Sequence, residues 1–312
     1  MDTKKLGPDG PEVSALGLGT WSWGDRWYWG YGDQYGESEV EAAFQTAVDA
    51  GITFFDTAEI YGGGEAERLL GKFRQQIQTP IQICAKYVPF PWRVQSQAIN
   101  AAVQGSLNRL QVNCIDLYQV LVPFNFLISQ RTLFQTLATE VQAGRIKAVG
   151  VCNYNVEQMH QAHQLLAEFG IPLVANQVRY SLITRQVERQ GILAAAKQLG
   201  VTVMANSPLA QGFLTGKYSP DQPPKGVRAL DSRFRRANFE KRFPVIDLLR
   251  QFGKTHGRTM AQVALNWLIA QDIIPIPGAK TAKQARENAG ALGWSLTPDE
   301  IAALEAASRP WL

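Results

Sequence analysis

Three ionisable residues lie close to the downstream ends of two short apolar runs. Asp56 and Tyr61 belong to the segment TFFDTAEIYGGGE, and Lys86 belongs to IQICAKY. A phenol has an ordinary pKa of about 10 and is a poor acid at neutral pH. A nearby ammonium stabilises the phenolate and makes the phenol a better proton donor, and a carboxylate can hold that ammonium in place. These residue types therefore predict proton-transfer chemistry and an enzyme.

Short β-rich runs alternate with longer amphipathic segments along almost the whole chain. The strand candidates are SALGLGTW, ITFFDTAE, IQICAKY, CIDLYQVL, IKAVGVCN, LVANQVRY, VTVMANSP and DIIPIPGA. Helix candidates between them include SEVEAAFQTAVDAG, VQSQAINAAVQGSLNRL and RQGILAAAKQLG. Several of these segments end at Gly, which suits a left-handed helix C-cap. Apolar strands separated by helices predict a parallel sheet that is covered on both faces.

Eight such units in roughly 250 residues match the size of a (β/α)₈ barrel. We predict an α/β fold in which residues 1–312 form a single (β/α)₈ TIM barrel domain. A doubly wound sheet is the alternative, but no linker or composition shift marks a second domain. The opening KKLGPDGPEVSALGLG predicts a β-hairpin that closes the barrel floor. FPVIDLLRQFGKTHG and TMAQVALNWLIAQ predict extra helices before strand eight, and TPDEIAALEAASR predicts one at the C-terminus.

Composition narrows the class of protein. The 312 residues are 46% hydrophobic and 19% charged, as is typical of soluble globular proteins. No apolar run reaches the roughly 20 residues that span a bilayer, so no membrane partner is predicted. The N-terminal MDTKKLGPDGPEV lacks the apolar stretch of a signal peptide, which predicts a cytoplasmic location. Polar helix faces favour a monomer.

The net charge of +4 comes from a mild basic excess. It clusters in VRALDSRFRRANFEKRF, which contains Arg228, Arg233, Arg235, Arg236, Lys241 and Arg242. A solvated loop and helix start is favoured over nucleic-acid binding, and a flap near an anionic cofactor is compatible with it. The cysteines and histidines have neither paired nor metal-ligand spacing, so we predict no metal. They are Cys84, Cys114, Cys152, His160, His163 and His256.

In a (β/α)₈ barrel the carboxyl ends of all strands meet at one mouth. Residues far apart in the sequence can then lie together, namely Asp56, Tyr61, Cys152, Asn153, Gln177, Asn206 and Ser207. Taken singly, Asp56 is better explained as a turn cap and Tyr61 as a rim aromatic residue. Taken together with Lys86 at a strand end, the catalytic interpretation is favoured.

An ordered series of motifs covers nearly the whole chain. The motifs are GLGTW (17–21), DTAEIYGGGEAERLLG (56–71), the strand ending at Lys86, DLYQ (116–119), GRIKAVGVCN (144–153), NQVRYS (176–181), SPLAQGFLTGKY (207–218) and IPGAKTAKQARENAGAL (276–292). In this order they resemble the aldo-keto reductases. The resemblance implies a barrel that binds NADPH across its C-terminal mouth and reduces the carbonyl group of a small molecule.

The resemblance also implies roles for individual residues. Tyr61 would donate the proton, Lys86 would lower the pKa of its phenol, and Asp56 would pair with Lys86. Asn153 and Gln177 would hold the nicotinamide carboxamide. The pyrophosphate would lie on the backbone around Ser207, Leu209 and Gly212, and the adenosine end with its 2′-phosphate on Lys280, Gln284 and Asn288. Further implied cofactor contacts are Gly19, Thr20, Trp21, Asp56, Cys152, Asn206, Pro208, Gln211, Ile276, Pro277 and Gly278.

The GAK triplet also supports an anion site without the resemblance. It follows an apolar strand and opens a helix, where free N–H groups and the helix dipole favour negative charge. Solvated lysines at helix starts are common, so this signal gains weight only beside the other motifs.

Several residues depart from the family pattern where the chemistry would occur. Leu121 and Val122 stand where the family usually has His and then Trp, and a leucine cannot donate a hydrogen bond to the carbonyl oxygen. Losing one such donor can cost about 3–4 kcal/mol of transition-state stabilisation. Cys152 replaces a common Ser, and Asn206 replaces a Tyr that stacks on the nicotinamide. These changes predict a remodelled pocket, through divergence or engineering, for bulky carbonyl, protonated imine or activated C=C substrates.

The predicted substrate wall is largely aromatic. It consists of Trp21, Trp23, Trp29, Tyr87, Trp92, Val122 and Phe124. Such a wall predicts hydrophobic aldehydes and ketones rather than sugars as substrates.

Two other functions stay open. A catalytically impaired NADPH-binding module, like the family members that serve as channel accessory subunits, is the main alternative, because Leu121 and Asn206 indicate impairment. A barrel isomerase ranks last, because SPLAQG is poor in the glycines of a phosphate loop.

Overall fold

A computed structural model of the chain describes residues 2–124, 128–219, 221–224 and 236–312. The side chains of Arg228, Arg233, Arg235 and Arg236 in the predicted basic segment lie outside the described residues. The N-terminal residues form an antiparallel hairpin of β1 (Thr3–Lys5) and β2 (Glu12–Ser14). Its Leu6 and Val13 are buried against the first inward-facing residues of the barrel, such as Phe54 and Leu117. The predicted hairpin at the barrel floor is confirmed.

Eight parallel strands follow one another around the barrel in chain order. They are β3 (Gly17–Gly19), β4 (Phe54–Asp56), β5 (Gln82–Tyr87), β6 (Ile115–Val120), β7 (Ile146–Cys152), β8 (Leu173–Arg179), β9 (Thr202–Asn206) and β10 (Ile274–Ile276). The last strand meets the first where Gly19 N donates to Pro277 O at 2.9 Å. A Cβ on Gly17 would lie 2.6 Å from Ile276 Cδ1, so glycine permits this close approach. The predicted (β/α)₈ barrel is confirmed.

Helices cover the outside of the barrel. Their bounds are α1 (Glu37–Asp49), α2 (Glu65–Arg74), α3 (Ser96–Leu110), α4 (Gln130–Gln142), α5 (Val156–Ala167), α6 (Gln186–Arg189), α7 (Ile192–Leu199), α8 (Arg236–His256), α9 (Met260–Ala270), α10 (Ala282–Ala289) and α11 (Pro298–Ser308). α8 and α9 precede β10, and α11 lies near the C-terminus, as predicted. Thr259 and Thr297 begin α9 and α11 with reciprocal capping boxes, which satisfy free amide groups of the first turn.

Strand periodicity decides which side chains reach the mouth. Successive side chains of a strand alternate between its faces, so residues i and i+2 share a face. Phe54, Cys84 and Leu117 pack in the apolar barrel floor. Two residues further along the same strands come Asp56, Lys86 and Gln119, all buried. The polar layer of the barrel therefore lies directly on an apolar one.

None of the helices in the described ranges combines the length and apolar character needed to cross a membrane.

Candidate active site

A buried ion pair lies where β4 and β5 end. Lys86 Nζ donates to Asp56 Oδ1 at 2.6 Å and to Thr57 O at 2.8 Å, and Gln177 Nε2 donates to the same carboxylate oxygen at 2.8 Å. Lys86 is fully buried and Asp56 is 3% exposed. Burial lowers the pKa of Lys86, but the Asp56 carboxylate, together with Tyr61 and the neighbouring cysteines, raises it by more, and the pKa lies above its usual value. The ammonium is therefore charged and held in place.

Tyr61 begins a tight turn of three glycines beside this pair. Lys86 Nζ lies 5.3 Å from the centroid of the Tyr61 ring. Gly62, Gly63 and Gly64 all have positive φ angles, which glycine adopts without a Cβ penalty. A Cβ on Gly62 would lie 2.8 Å from the carbonyl carbon of Gly24, so the turn packs directly on the loop after β3. The glycines thus set the position of the phenol.

The acidity of Tyr61 departs from the prediction. Burial raises the pKa of the phenol, the Lys86 ammonium lowers it, and the Asp56 carboxylate raises it. Burial is the largest effect, so the pKa lies above its usual value rather than below it. The lowering effect of Lys86 is present, but desolvation of the phenolate outweighs it. Tyr61 therefore carries its proton throughout the neutral range.

The backbone of Leu121 supports a neighbouring strand end. Leu121 N donates to Tyr87 O at 2.9 Å, and Asn153 Nδ2 donates to Leu121 O at 3.2 Å. Asn153 has a φ of 60° and donates its own N–H to Gln177 O at 2.9 Å. Its exposed amide lies at the mouth, where the sequence places it. The side chains of Leu121 and Val122 are only half-buried and offer no hydrogen-bond donor there.

Cys152, predicted to contact the cofactor, is turned into the barrel. Its thiol is 1% exposed and donates to Gln119 Oε1 at 3.2 Å, and the Cys84 thiol donates to the same oxygen at 3.3 Å. Burial raises the pKa of Cys152. The structure does not bring this thiol to the surface of the mouth, because the i+2 alternation along β7 points it inward. Gln177 is likewise 3% exposed and engaged with Asp56.

The segment after β9 has an unusual backbone. Ser207, Ala210, Gln211 and Gly212 have positive φ angles of 51°, 47°, 56° and 92°. Such angles are uncommon for residues other than glycine, and strained backbone of this kind concentrates at ligand-binding sites. Ala210 N donates to Ser207 O at 2.8 Å, which tightens the turn. The predicted pyrophosphate segment therefore has a strained backbone, with Pro208 and Leu209 between Ser207 and Ala210.

The predicted adenosine site lies at the start of α10. Thr281 caps the helix, Lys280 N donates to Gln284 Oε1 at 2.7 Å, and Asn288 Nδ2 donates to Gly278 O at 3.3 Å. Lys280 Nζ donates to Trp29 O at 2.9 Å and lies 4.3 Å from the centroid of the Tyr35 ring. The ammonium is thus held by the loop after β3, next to a helix N-terminus that favours anions.

An aromatic loop of residues 21–35 joins the separate parts of the mouth. Trp21 stacks on Tyr28 at 5.2 Å, and its ring centroid lies 6.3 Å from that of Tyr61. Tyr28 Oη donates to Gln211 Oε1 at 3.0 Å. Together with the Trp29–Lys280 contact, these interactions connect the loop to the strained segment, the predicted adenosine site and the Tyr61 phenol. We call residues 21–35 the aromatic loop.

Two of the predicted substrate contacts, Trp23 and Tyr87, have buried side chains. Trp23 is fully buried, donates from Nε1 to Ala279 O at 2.9 Å and packs on Phe73. Tyr87 is also fully buried, because it lies on the outward face of β5 among the helices. The cluster of tryptophans did not reveal which ring faces the core.

Trp21, Trp92 and Phe124 do reach the surface. They are 38%, 72% and 61% exposed. Trp92 stacks on Phe90 with ring centroids 4.6 Å apart. These three exposed rings lie on the loops that follow β3, β5 and β6, at the mouth end of the barrel.

Glu59 and Arg93 form a further pair near the mouth that no sequence motif indicated. Arg93 Nη1 and Nη2 donate to Glu59 Oε1 and Oε2 at 2.6 and 2.9 Å, and Val88 N donates to Glu59 Oε1 at 2.7 Å. This bidentate pair joins the loop after β5 to the loop that carries Tyr61. The only signal in the sequence was the position of each residue just beyond a strand end. Their pairing follows from the adjacency of β4 and β5, not from spacing.

Comparison with known proteins gives one consistent result. The model of the Aldo/keto reductase family matches residues 15–309. The chloroplastic pyridoxal reductase of Arabidopsis thaliana is 36% identical over 321 aligned positions, which cover 98% of this chain and 85% of that protein. The glycerol dehydrogenase of Gluconobacter oxydans superposes with a TM-score of 0.86 at 29% identity, covering 100% of this chain and 96% of that one. An aldo-keto reductase of Klebsiella pneumoniae, solved in complex with NADPH, superposes with a TM-score of 0.77 at 27% identity, covering 98% of this chain and 95% of that one.

Proposed function

This chain belongs to the aldo/keto reductase family, and we propose that it is an NADPH-dependent oxidoreductase that reduces aldehydes or ketones. The buried Asp56–Lys86 pair beside Tyr61 is the observation that carries the proposal. A solved family member of similar fold binds NADPH. Lys86 Nζ lies 5.3 Å from the centroid of the Tyr61 ring, so a cation can stabilise the phenolate that forms when Tyr61 donates its proton.

The residues at the mouth fit a dinucleotide phosphate. The strained segment after β9 offers backbone to a phosphate at close range, since Gly212 has no side chain in the way. Lys280 and the N-terminus of α10 supply positive charge on one side of the mouth. The exposed amide of Asn153 lies at the end of β7, close to Leu121. NADPH, when bound, supplies the hydride.

The protein's own residues supply the proton and its control. Tyr61 holds its proton at neutral pH and can donate it to the substrate oxygen as negative charge develops there. Lys86 stabilises the phenolate that remains, and Asp56 and Thr57 hold Lys86 at a fixed distance. Gln177 completes the hydrogen bonds of the carboxylate. Among the predicted catalytic residues, Tyr61 would be the donor to the substrate oxygen, because the Leu121 side chain has no donor.

The preferred substrates are hydrophobic carbonyl compounds. The exposed rings of Trp21, Trp92 and Phe124 supply apolar surface at the mouth. Leu121 and Val122 add aliphatic surface where the family usually has polar or aromatic groups. A protonated imine or an activated C=C bond needs no second donor to an oxyanion, so such bulky substrates fit the same site. This altered pocket is part of the proposal, whether divergence or engineering produced it.

The alternative function is an NADPH-binding module without useful turnover. It is favoured by the missing donor at Leu121 and by Asn206, which stands where the family usually has a Tyr that stacks on the nicotinamide. Both functions predict binding of NADPH, and only the reductase predicts turnover that depends on Tyr61.

The deciding experiment measures binding and turnover on one set of variants. NADPH fluorescence titration and reduction of an aromatic aldehyde are run on the wild-type chain, Tyr61→Phe and Tyr118→Phe. Tyr118 packs in the shell between strands and helices and serves as the matched control. We expect binding by all three proteins, and a loss of turnover of about a hundredfold or more in Tyr61→Phe alone. Binding without wild-type turnover of any carbonyl, imine or activated C=C compound would identify the binding module, and absence of binding would exclude both functions.

A further inference from the structure

Arg242 is a buried cation that the proposed chemistry does not use. It lies in α8 and is 3% exposed. Its Nη1 donates to Phe213 O at 2.6 Å, and its Nη2 donates to Tyr218 O. Its Nε has no hydrogen-bond partner, and no carboxylate forms an ion pair with the guanidinium, among the residues that the structure describes.

Aromatic rings replace water around the guanidinium. Its Cζ lies 4.2 Å from the centroid of the Phe213 ring and 4.3 Å from that of Phe239. Aromatic faces and carbonyl dipoles stabilise a cation, but they do not neutralise it. Burial lowers the pKa of Arg242 to about 10, so the side chain still carries its charge at neutral pH. Buried arginines are rare unless they are paired, so this charge calls for an anion in its neighbourhood.

The position of Arg242 indicates which anion its buried charge would stabilise. Its two acceptors, Phe213 and Tyr218, lie at the ends of a short segment that directly follows Gly212. The planar fork of the guanidinium holds both carbonyls at once, which fixes the path of this segment. The strained residues Ala210, Gln211 and Gly212 come immediately before it. Arg242 therefore lies behind the loop that is proposed to bind the cofactor diphosphate.

We infer that Arg242 is a positioning residue for the diphosphate of the cofactor. It braces residues 207–218 from the protein side and places a buried positive charge behind them. The inference rests on the proposed function, because it requires that this loop binds a dinucleotide.

The roles of Arg242 and Lys280 can be separated with ligands. Lys280 lies at the start of α10, where the 2′-phosphate is proposed to bind, so its loss affects NADPH and 2′-AMP but not NADH. Arg242 acts on the diphosphate, which NADPH and NADH share and 2′-AMP lacks. A substitution at Arg242 therefore weakens both dinucleotides to the same extent and leaves 2′-AMP unaffected. General damage to the fold would weaken all three.

The test uses the full chain with Arg242→Met, Arg242→Lys and Lys280→Met. Dissociation constants for NADPH, NADH and 2′-AMP are measured by fluorescence titration and competition, and circular dichroism melting checks folding. We expect Arg242→Met to weaken NADPH and NADH alike, by about tenfold, and 2′-AMP by less than about twofold. Arg242→Lys keeps the charge but loses the planar fork, and should weaken the dinucleotides by about threefold. Turnover at saturating NADPH should fall less than the affinity does.

The outcomes are distinct. A wild-type chain that binds no NADPH removes the proposed function and the inference with it. A wild-type chain that binds NADPH, beside a folded Arg242→Met variant of equal affinity, overturns the inference alone. Equal weakening of 2′-AMP also overturns it. If Arg242→Met does not fold, Arg242→Lys decides: weaker dinucleotide binding with unchanged 2′-AMP binding supports the inference, and unchanged dinucleotide binding overturns it.

Discussion

Lys86 and Asp56 have lost almost all contact with water, and this determines how their charges act. A buried ion pair gains little net stability, because desolvation offsets the attraction between the two charges. The pair instead fixes the position of the ammonium. Asp56 and Thr57 accept hydrogen bonds from Lys86, and Gln177 holds the Asp56 carboxylate. Tyr61 lies beside this pair. Burial raises the pKa of its phenol by more than the Lys86 ammonium lowers it, so the phenol stays protonated at neutral pH.

The raised pKa of Tyr61 predicts a simple pH dependence. Reduction consumes a proton from the neutral phenol, so activity is present below the pKa of Tyr61 and lost above it. Because that pKa lies above the ordinary value, we expect turnover in the reductive direction to stay level up to about pH 10. In Lys86→Met the pKa rises further, the phenol is a weaker acid, and turnover falls by about a hundredfold or more without a new alkaline limb.

The measurement is the pH profile of kcat for wild type, Lys86→Met and Lys72→Met. Lys72 is an exposed lysine paired with Glu37 and serves as the control. A wild-type profile that falls with a midpoint well below pH 10 would contradict the assignment of Tyr61 as the proton donor with a raised pKa.

Leu121 offers a second prediction at this scale. Its N–H and carbonyl hold Tyr87 and Asn153 through the backbone, so a new side chain leaves these contacts in place. We expect Leu121→His to add a donor to the substrate oxygen and to raise kcat for carbonyl reduction by up to about a hundredfold. Leu121→Phe adds bulk without a donor and is the matched control. An equal effect of both variants would show that pocket shape, and not the donor, limits the rate.

At the scale of elements, side-chain contacts add to backbone hydrogen bonds in joining the loops that follow neighbouring strands. The Glu59–Arg93 pair connects the loop after β5 to the turn that carries Tyr61. The aromatic loop does the same across the mouth, through Tyr28 and Gln211 on one side and Trp29 and Lys280 on the other. Such contacts hold the loops at the mouth in position relative to one another.

Breaking the Glu59–Arg93 pair should affect the substrate more than the cofactor. In Glu59→Gln, Arg93 loses a charged bidentate partner in a mostly buried place, at a cost of about 1–3 kcal/mol of unfolding free energy. The loop that carries Trp92 is then less well held, so KM for an aromatic aldehyde should rise severalfold while Kd for NADPH stays unchanged.

Urea unfolding and steady-state kinetics check this prediction, with Arg68→Met as the control. The Glu65–Arg68 pair lies on the surface, three residues apart in α2, so its loss should change stability by less than about 1 kcal/mol. Equal changes in KM and in Kd for NADPH would contradict the separate roles of the two loops.

At the scale of the whole molecule, the two ends of the barrel differ in the residues that line them. The mouth carries the charged and strained residues, and the floor is apolar and closed by the N-terminal hairpin. Leu6 is fully buried there, and Gly7 N donates to Thr202 Oγ1 at 2.8 Å. That residues 1–312 form one domain, and that the protein is a cytoplasmic monomer, stay predictions that ultracentrifugation and cell fractionation would test.

The packing of the N-terminal hairpin on the barrel floor leads to a prediction about stability and not about activity. We expect Leu6→Ala to lower the unfolding free energy by about 2–5 kcal/mol, because it leaves a cavity under the barrel. Turnover per folded molecule should not change, since the mouth is at the opposite end of the strands. Chemical unfolding monitored by circular dichroism measures the loss, with the exposed Leu312→Ala as the control. A fall in kcat of the folded variant would mean that the two ends are coupled.

The sequence alone determined the barrel, its hairpin and its extra helices, because strand and helix periods and glycine stops are local signals. It also indicated Asp56, Tyr61 and Lys86, whose residue types need one another. Only the tertiary structure decided the direction of the Tyr61 pKa, since desolvation depends on everything packed around the phenol. It also decided that Trp23, Tyr87 and Cys152 are buried, and that Glu59 meets Arg93. These outcomes depend on which strands are neighbours, and adjacency is a property of the folded barrel.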